Sequence, residues 1–245
     1  MSLAGKPFEL HLAGPLHPSP AAPLVLYASG DGGWFGAAVD MFRTIAADGY
    51  PTVGISSKAF MKLAHRTPLK PETLTAEYLA ILARAREALG LAADTPVVLT
   101  GWSRGASLAV ITAAQPIARP AVRGVVAIGL THGEDLKVDG EADETDDDPV
   151  TAAGASTDRR DDTLPPVRHD EVDTYALLRG LAPIRSAVIQ ATHDHYLPAA
   201  QARRLFGAET TTRRFFAIEA RNHRFSGGKA DFDAALTEAL HWAAD

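Results

Sequence analysis

The run Val97-Val98-Leu99-Thr100-Gly101-Trp102-Ser103-Arg104-Gly105-Ala106-Ser107-Leu108-Ala109 constrains the fold more than any other part of the chain. A β-branched apolar stretch, of the kind buried on both faces, stops at a Gly-x-Ser-x-Gly pentad. Small residues with helical spacing follow at once, so the pattern predicts strand, sharp turn and helix, with Ser103 at the turn. Gly101 and Gly105 carry no Cβ, which lets strand and helix approach closely there. Such a turn lifts the Ser103 hydroxyl off the sheet edge. It also aims a helix N-terminus, with its free N–H groups, at any negative charge forming nearby. A glycine-rich turn around an inert serine would produce the same pentad, so its meaning depends on the residues that join it.

Strands and helices alternate around this unit. Phe8-Glu9-Leu10-His11-Leu12 alternates like an early edge strand, and Leu24-Val25-Leu26-Tyr27-Ala28 reads as a buried one. The loop Ser29-Gly30-Asp31-Gly32-Gly33-Trp34 leads to a helix that ends near Asp48, before Gly49. Thr52-Val53-Gly54-Ile55 is the next strand. Leu74, Tyr78, Ile81, Leu82, Ala85 and Leu89 keep helical spacing between Pro71 and Gly90. Further strands are expected over 122–130, 187–191 and 213–218, a short helix over 198–206, and a closing helix lined by Phe232, Leu236 and Leu240. This alternation implies one α/β domain over 1–245, with a mostly parallel sheet and helices on both faces.

The net charge of −6 is unevenly spread. Residues 134–171 hold 14 acidic and 4 basic side chains, a balance of −10 that leaves +4 for the rest. Few large apolar residues accompany that charge, so 131–173 is expected to be an acidic insertion, either a flexible surface loop or a lid over the site. No Lys/Arg block points to nucleic acid as a partner, and nothing indicates a protein partner. The chain has no cysteine, which excludes disulfides and thiolate chemistry. No apolar run reaches the ~18 residues of a membrane span. Met1-Ser2-Leu3-Ala4-Gly5-Lys6 lacks the apolar core of a leader, which implies a cytoplasmic protein if Met1 is the native start and an exported one if a leader was removed.

A serine is a weak nucleophile unless a base takes its proton and a carboxylate orients that base. In the α/β-hydrolase fold these residues follow one another in the order Ser, Asp, His, the serine standing on the nucleophile elbow described above. The acid then belongs after the strand at 187–191, which makes Asp194 the candidate. The base belongs before the last helix, where His223 is the only histidine of the loop 219–228. The oxyanion of an acyl-transfer intermediate needs two N–H donors. One is expected from Arg104, the other from Asp31 or, failing that, Gly32. The Asp31 carboxylate is expected to cap the following helix, or else to hold a cationic group of the substrate. Trp34, Phe35 and Trp102 are expected around the pocket. His193 and His195 flank Asp194 in a pattern that could suggest a metal. Adjacent residues of an extended chain point to opposite sides, however, and no further ligand stands at useful spacing, so neither metal nor other cofactor is expected.

Ser29-Gly30-Asp31-Gly32-Gly33-Trp34, followed by an amphipathic helix and Gly-Tyr-Pro-Thr-Val-Gly-Ile at 49–55, resembles the bacterial virulence-protein VirJ/AcvB domain of the α/β-hydrolase superfamily. The likeness runs from about residue 8 to 243 and lapses over the acidic insertion. It implies an exported bacterial protein and hydrolysis of aminoacyl esters of phospholipids, notably lysyl-phosphatidylglycerol. It also admits a docking component without catalysis, against which stands that every expected triad position is filled. The sequence reading is therefore a serine hydrolase of a small-molecule or lipid carboxylic ester. A non-catalytic binding protein on the same scaffold, or a thioesterase, peptidase or acyltransferase, remains open.

Overall fold

The computed structural model describes residues 1–3, 5–15, 21–64, 69–137, 164 and 166–245. Its strands are β1 (Ser2–Leu3), β2 (Lys6–Pro7), β3 (His11–Ala13), β4 (Leu24–Ala28), β5 (Thr52–Ile55), β6 (Val97–Trp102), β7 (Val122–Ile128), β8 (Gly133–Glu134), β9 (Val172–Asp173), β10 (Arg185–Ala191) and β11 (Arg213–Ile218). Its helices are α1 (Ala37–Ala47), α2 (Ser57–Ala64), α3 (Pro71–Ala88), α4 (Arg104–Ala114), α5 (Thr174–Arg179), α6 (Ala199–Phe206) and α7 (Lys229–Ala244). The main sheet has seven strands in the order β11-β10-β7-β6-β4-β5-β3. All neighbours pair in parallel except β3, which runs antiparallel to β5 at the edge.

The central strands are largely apolar, and β4 is buried at every position, because both of their faces are covered. Leu24, Leu26 and Ala28 of β4 join Leu99, Val125 and Val188 in one core, packed under Leu74, Tyr78 and Ile81 of α3 and Leu108 of α4. Val25 and Tyr27 turn the other way, with Val98, Val126 and Ile189, onto Met41 and Ile45 of α1 and Phe232, Leu236 and Leu240 of α7. The period-2 alternation of a strand thus feeds two separate cores.

The chain passes from β4 to β5 on one side and then returns to β6 on the other. The strand order therefore switches between β4 and β6, and ligands bind at the carboxyl ends of the strands at such a switch in sheets of this kind.

Most of the expected acidic insertion, 138–163 and 165, lies outside the described residues. Its two ends depart from the expected boundaries. Glu134 and Leu136 are buried, and Gly133–Glu134 pairs antiparallel with Val172–Asp173 as a short ribbon. The Asp173 side chain also caps α5, accepting from the Ala176 N–H at 2.7 Å. An apolar Leu136 and a capping Asp173 attach these residues to the body in spite of the surrounding charge. No described helix is long and apolar enough to cross a membrane.

Candidate active site

Ser103 occupies the turn between β6 and α4 with φ 56° and ψ −124°, backbone angles that L-residues rarely adopt. Its N–H donates to the Ile128 carbonyl at 2.9 Å, tying the turn to β7. The flanking glycines are required by close approach. A Cβ on Gly101 would lie 2.3 Å from the Gly105 carbonyl carbon, and one on Gly105 would lie 2.1 Å from the Ala28 carbonyl oxygen.

Asp194 and His223 meet after β10 and β11. His223 Nδ1 is 2.6 Å from Asp194 Oδ2, and both residues are buried. Asp194 is further held through Oδ1, which accepts from the Tyr196 N–H at 2.9 Å, and through Oδ2, which accepts from Gln190 Nε2 at 3.0 Å. A carboxylate can only accept, so the shared proton belongs to Nδ1 and the neutral ring keeps its lone pair on Nε2. That Nε2 is buried and has no hydrogen-bond partner among the described residues, Ser103 included. The imidazole lies between Trp102, stacked at 5.5 Å, and Tyr196, edge-on at 4.9 Å. Trp102 Nε1 also donates to the His223 carbonyl at 3.1 Å.

The loop after β4 comes down beside the serine. A Cβ on Gly30 would be 3.2 Å from Ser103 Cβ, and the Gly33 N–H closes a turn onto the Gly30 carbonyl at 3.1 Å. Asp31 and Gly32 are the two central residues of that turn. Buried Ser29 anchors the loop, its Oγ accepting from the Ser57 N–H at 3.2 Å. The Asp31 carboxylate does not cap α1, whose N-cap is Gly36 without a side-chain bond. It pairs with Arg104 Nε at 2.7 Å, and Glu134 approaches the same nitrogen at 3.0 Å. The cause is the elbow itself, which presents Arg104 to the loop, while the helix start lies several residues further on.

Of the aromatic residues expected at the pocket, Trp102 is brought to the imidazole. Trp34 packs instead at the sheet edge, stacked on His11 at 4.0 Å and edge-on to Phe42 at 5.1 Å, and Phe35 is exposed. His193 pairs with Glu219 at 3.2 Å and His195 packs on Tyr196, so Asp194 and its neighbours face different partners. No group of three or more potential metal ligands occurs among the described residues.

Three further residues were not singled out in the sequence. Gly129 has φ 58°, and a Cβ there would lie 2.6 Å from His223 Cε1, so a glycine leaves room for the ring. Gln190 spaces the acid loop by donating to Asp194 and to the Leu197 carbonyl, the latter at 2.6 Å. Glu134 is buried beside the elbow residue Arg104. Only the glycine directly after a strand gives any local signal.

No curated protein matches the chain significantly. Among solved structures, the esterase domain of a Rhodothermus marinus protein is similar with TM-score 0.58 and 18% identity, covering 98% of this chain and 93% of that one. TT1662 from Thermus thermophilus has TM-score 0.56 and 18% identity over 99% and 96% of the two chains. The Paleococcus ferrophilus monoacylglycerol lipase has TM-score 0.54 and 16% identity over 98% and 100%. At these identities the likeness is one of fold, and the fold is that of the α/β hydrolases. The model of the bacterial virulence protein (VirJ) family matches residues 23–155, more than half of the chain, and the chain belongs to that family.

Proposed function

We propose that the protein is a serine hydrolase of carboxylic esters, with Ser103, His223 and Asp194 as its triad. The observation that carries this reading is the buried 2.6 Å pair of His223 and Asp194, on the same sheet edge as a serine at φ 56°. Ser103 Oγ attacks the ester carbonyl while His223 Nε2 takes its proton, and the carbonyl electron pair moves onto oxygen. Asp194 holds the ring and stabilises the imidazolium. The Arg104 N–H and the N–H of Asp31 or Gly32 receive the oxyanion. Collapse expels the alcohol, protonated by His223, and a water then attacks the acyl-enzyme by the same route. Hydrogen bonds between serine and base are often long without substrate and tighten when it binds. The substrate class includes the aminoacyl and lipid esters that the family resemblance implies.

A binding role on a silent scaffold is favoured by one observation, the missing hydrogen bond between Ser103 and His223 Nε2. Fluorophosphonate labelling separates the two, with p-nitrophenyl esters of increasing chain length assayed in parallel. Labelling of the wild type that disappears in Ser103→Ala, together with ester turnover, is the expected result. A folded wild type that neither labels nor turns over esters overturns the hydrolase reading in favour of binding.

A further inference from the structure

Two carboxylates are buried among the described residues, Asp194 at 1% exposure and Glu134 at 5%. Asp194 is accounted for by His223. Glu134 takes no part in the proposed triad, yet it lies beside the nucleophile. It stands on β8, and its Oε1 is 3.0 Å from Arg104 Nε. The same nitrogen is 2.7 Å from Asp31 Oδ1. One guanidinium thus joins three segments, the elbow, the loop after β4 and the ribbon after β7.

Stability does not explain this arrangement. A buried carboxyl set against a guanidinium is commonly no more stabilising than apolar residues of the same volume. The Asp31 carboxylate is 60% exposed, so its pair with Arg104 is screened by water and holds the side chain weakly. Glu134 is the fixed partner. It is buried beside Arg104 and Ser107 of α4 and lies within electrostatic reach of Asp31 of the loop and Tyr78 of α3. A guanidinium held from the buried side has one orientation, and Arg104 is thereby fixed in place. Arg104, which is proposed to give one N–H group to the oxyanion, is therefore clamped by its side chain to a buried anchor, with Asp31 paired to the same guanidinium from the solvent side.

We propose that Glu134 is a positioning residue for the oxyanion hole, acting through Arg104. The inference rests on the serine-hydrolase reading above. Glu134 supplies an acceptor to the guanidinium and does not touch the reacting atoms. Its removal therefore weakens the hold on the transition state and spares the binding of the ground-state ester. An aryl trifluoromethyl ketone reports on this directly. Ser103 Oγ adds to its carbonyl carbon, the proton passes to His223, and the new oxyanion lies in the hole.

The experiment uses the full chain as wild type, Glu134→Met, Glu134→Gln, Arg104→Met and the double Met variant. The readouts are kcat and KM on p-nitrophenyl butyrate and the affinity of the trifluoromethyl ketone. Glu134→Met is expected to lower kcat by about tenfold and the ketone affinity in parallel, with KM nearly unchanged. Gln retains an acceptor oxygen and restores both to within about threefold. In the Arg104→Met background the Glu134 substitution adds nothing, because the route through Arg104 is already cut. Wild-type kcat and ketone affinity in Glu134→Met overturn the inference. So do losses that add fully in the double variant, or a Gln variant as impaired as the Met one. If Glu134→Met does not fold, Arg104→Met alone decides, since it must show the same parallel loss. Should the wild type hydrolyse no ester, or Ser103→Ala retain activity, the serine-hydrolase reading fails and takes this inference with it. Ser103-dependent activity that is indifferent to Glu134 sinks this inference alone.

Discussion

Arg104 Nε lies 2.7 Å from Asp31 Oδ1, so the residue after the elbow serine and the residue at the tip of the facing loop are joined side chain to side chain. A bare carboxylate next to two N–H donors would oppose any negative charge that forms there. The guanidinium compensates it. At 60% exposure of Asp31 the pair adds little to stability, about 1 kcal/mol at most, and its effect is orientation.

Ser103 pays for its backbone geometry in strain, at φ 56°. Ser103→Ala is expected to lose turnover by at least about 1000-fold with an unchanged fold. Ser103→Gly is expected to be equally inactive and more stable by about 1 kcal/mol, because glycine adopts positive φ freely. Ester kinetics and urea unfolding of the two variants check this, and a destabilised Gly variant would contradict the strain.

Asp194 accepts from His223, Gln190 and the Tyr196 N–H, and can donate to none of them as a carboxylate. In Asp194→Asn the amide can turn an N–H toward Nδ1, which moves the ring proton to Nε2. The expected loss in kcat is about 10,000-fold, with KM little affected. Nitrogen NMR of the imidazole reads the tautomer directly.

Gly129 faces the imidazole with φ 58°, and an added Cβ would be 2.6 Å from His223 Cε1. Gly129→Ala is expected to displace the ring. It should cost about 1–3 kcal/mol from the strained backbone and lower kcat by about 100-fold, as a misplaced base does. A fully active, fully stable Ala variant would show that the ring has room to spare.

Burial raises the Glu134 carboxyl from 4.5 to about 8, against the pull of Arg104 and of the Ser107 hydroxyl. Between those two values the folded protein holds a proton that the unfolded chain has released. Stability is therefore expected to be greatest below pH 4.5 as far as this group is concerned, and to fall as the pH rises toward 8. Glu134→Gln, which has no such proton to lose, removes that decline. Urea midpoints of the two proteins across this range provide the measurement, and parallel profiles would refute it.

Much of this molecule was legible in sequence because its strongest signals are local. The Val97–Trp102 strand, the pentad and α4 are contiguous, and a run as apolar as Val97-Val98-Leu99 calls for burial on both faces. Pro71 and Gly90 bracket α3 through backbone chemistry that needs no tertiary partner. Asp194 and His223 could be named from chain order alone. Their 2.6 Å approach, by contrast, depends on β10 and β11 pairing in register, Ala191 opposite Ile218.

The roles of Asp31, Trp34, Glu134 and Gly129 belong to the other category. Asp31 precedes a helix and reads as its cap, but the fold brings Arg104 within 2.7 Å of it. Trp34 follows the loop and reads as a pocket wall, but the antiparallel β3 carries His11 under its ring. Glu134 opens a strongly acidic stretch, and nothing local separates it from the acidic residues that follow in sequence. Sequence by itself determined the layered sheet and the order of the candidate residues, because backbone preference and hydrophobic period act over a few neighbours. Only the tertiary structure decided which side chains are buried together, because a charge is matched by whatever the packing of distant segments brings within a few ångströms of it.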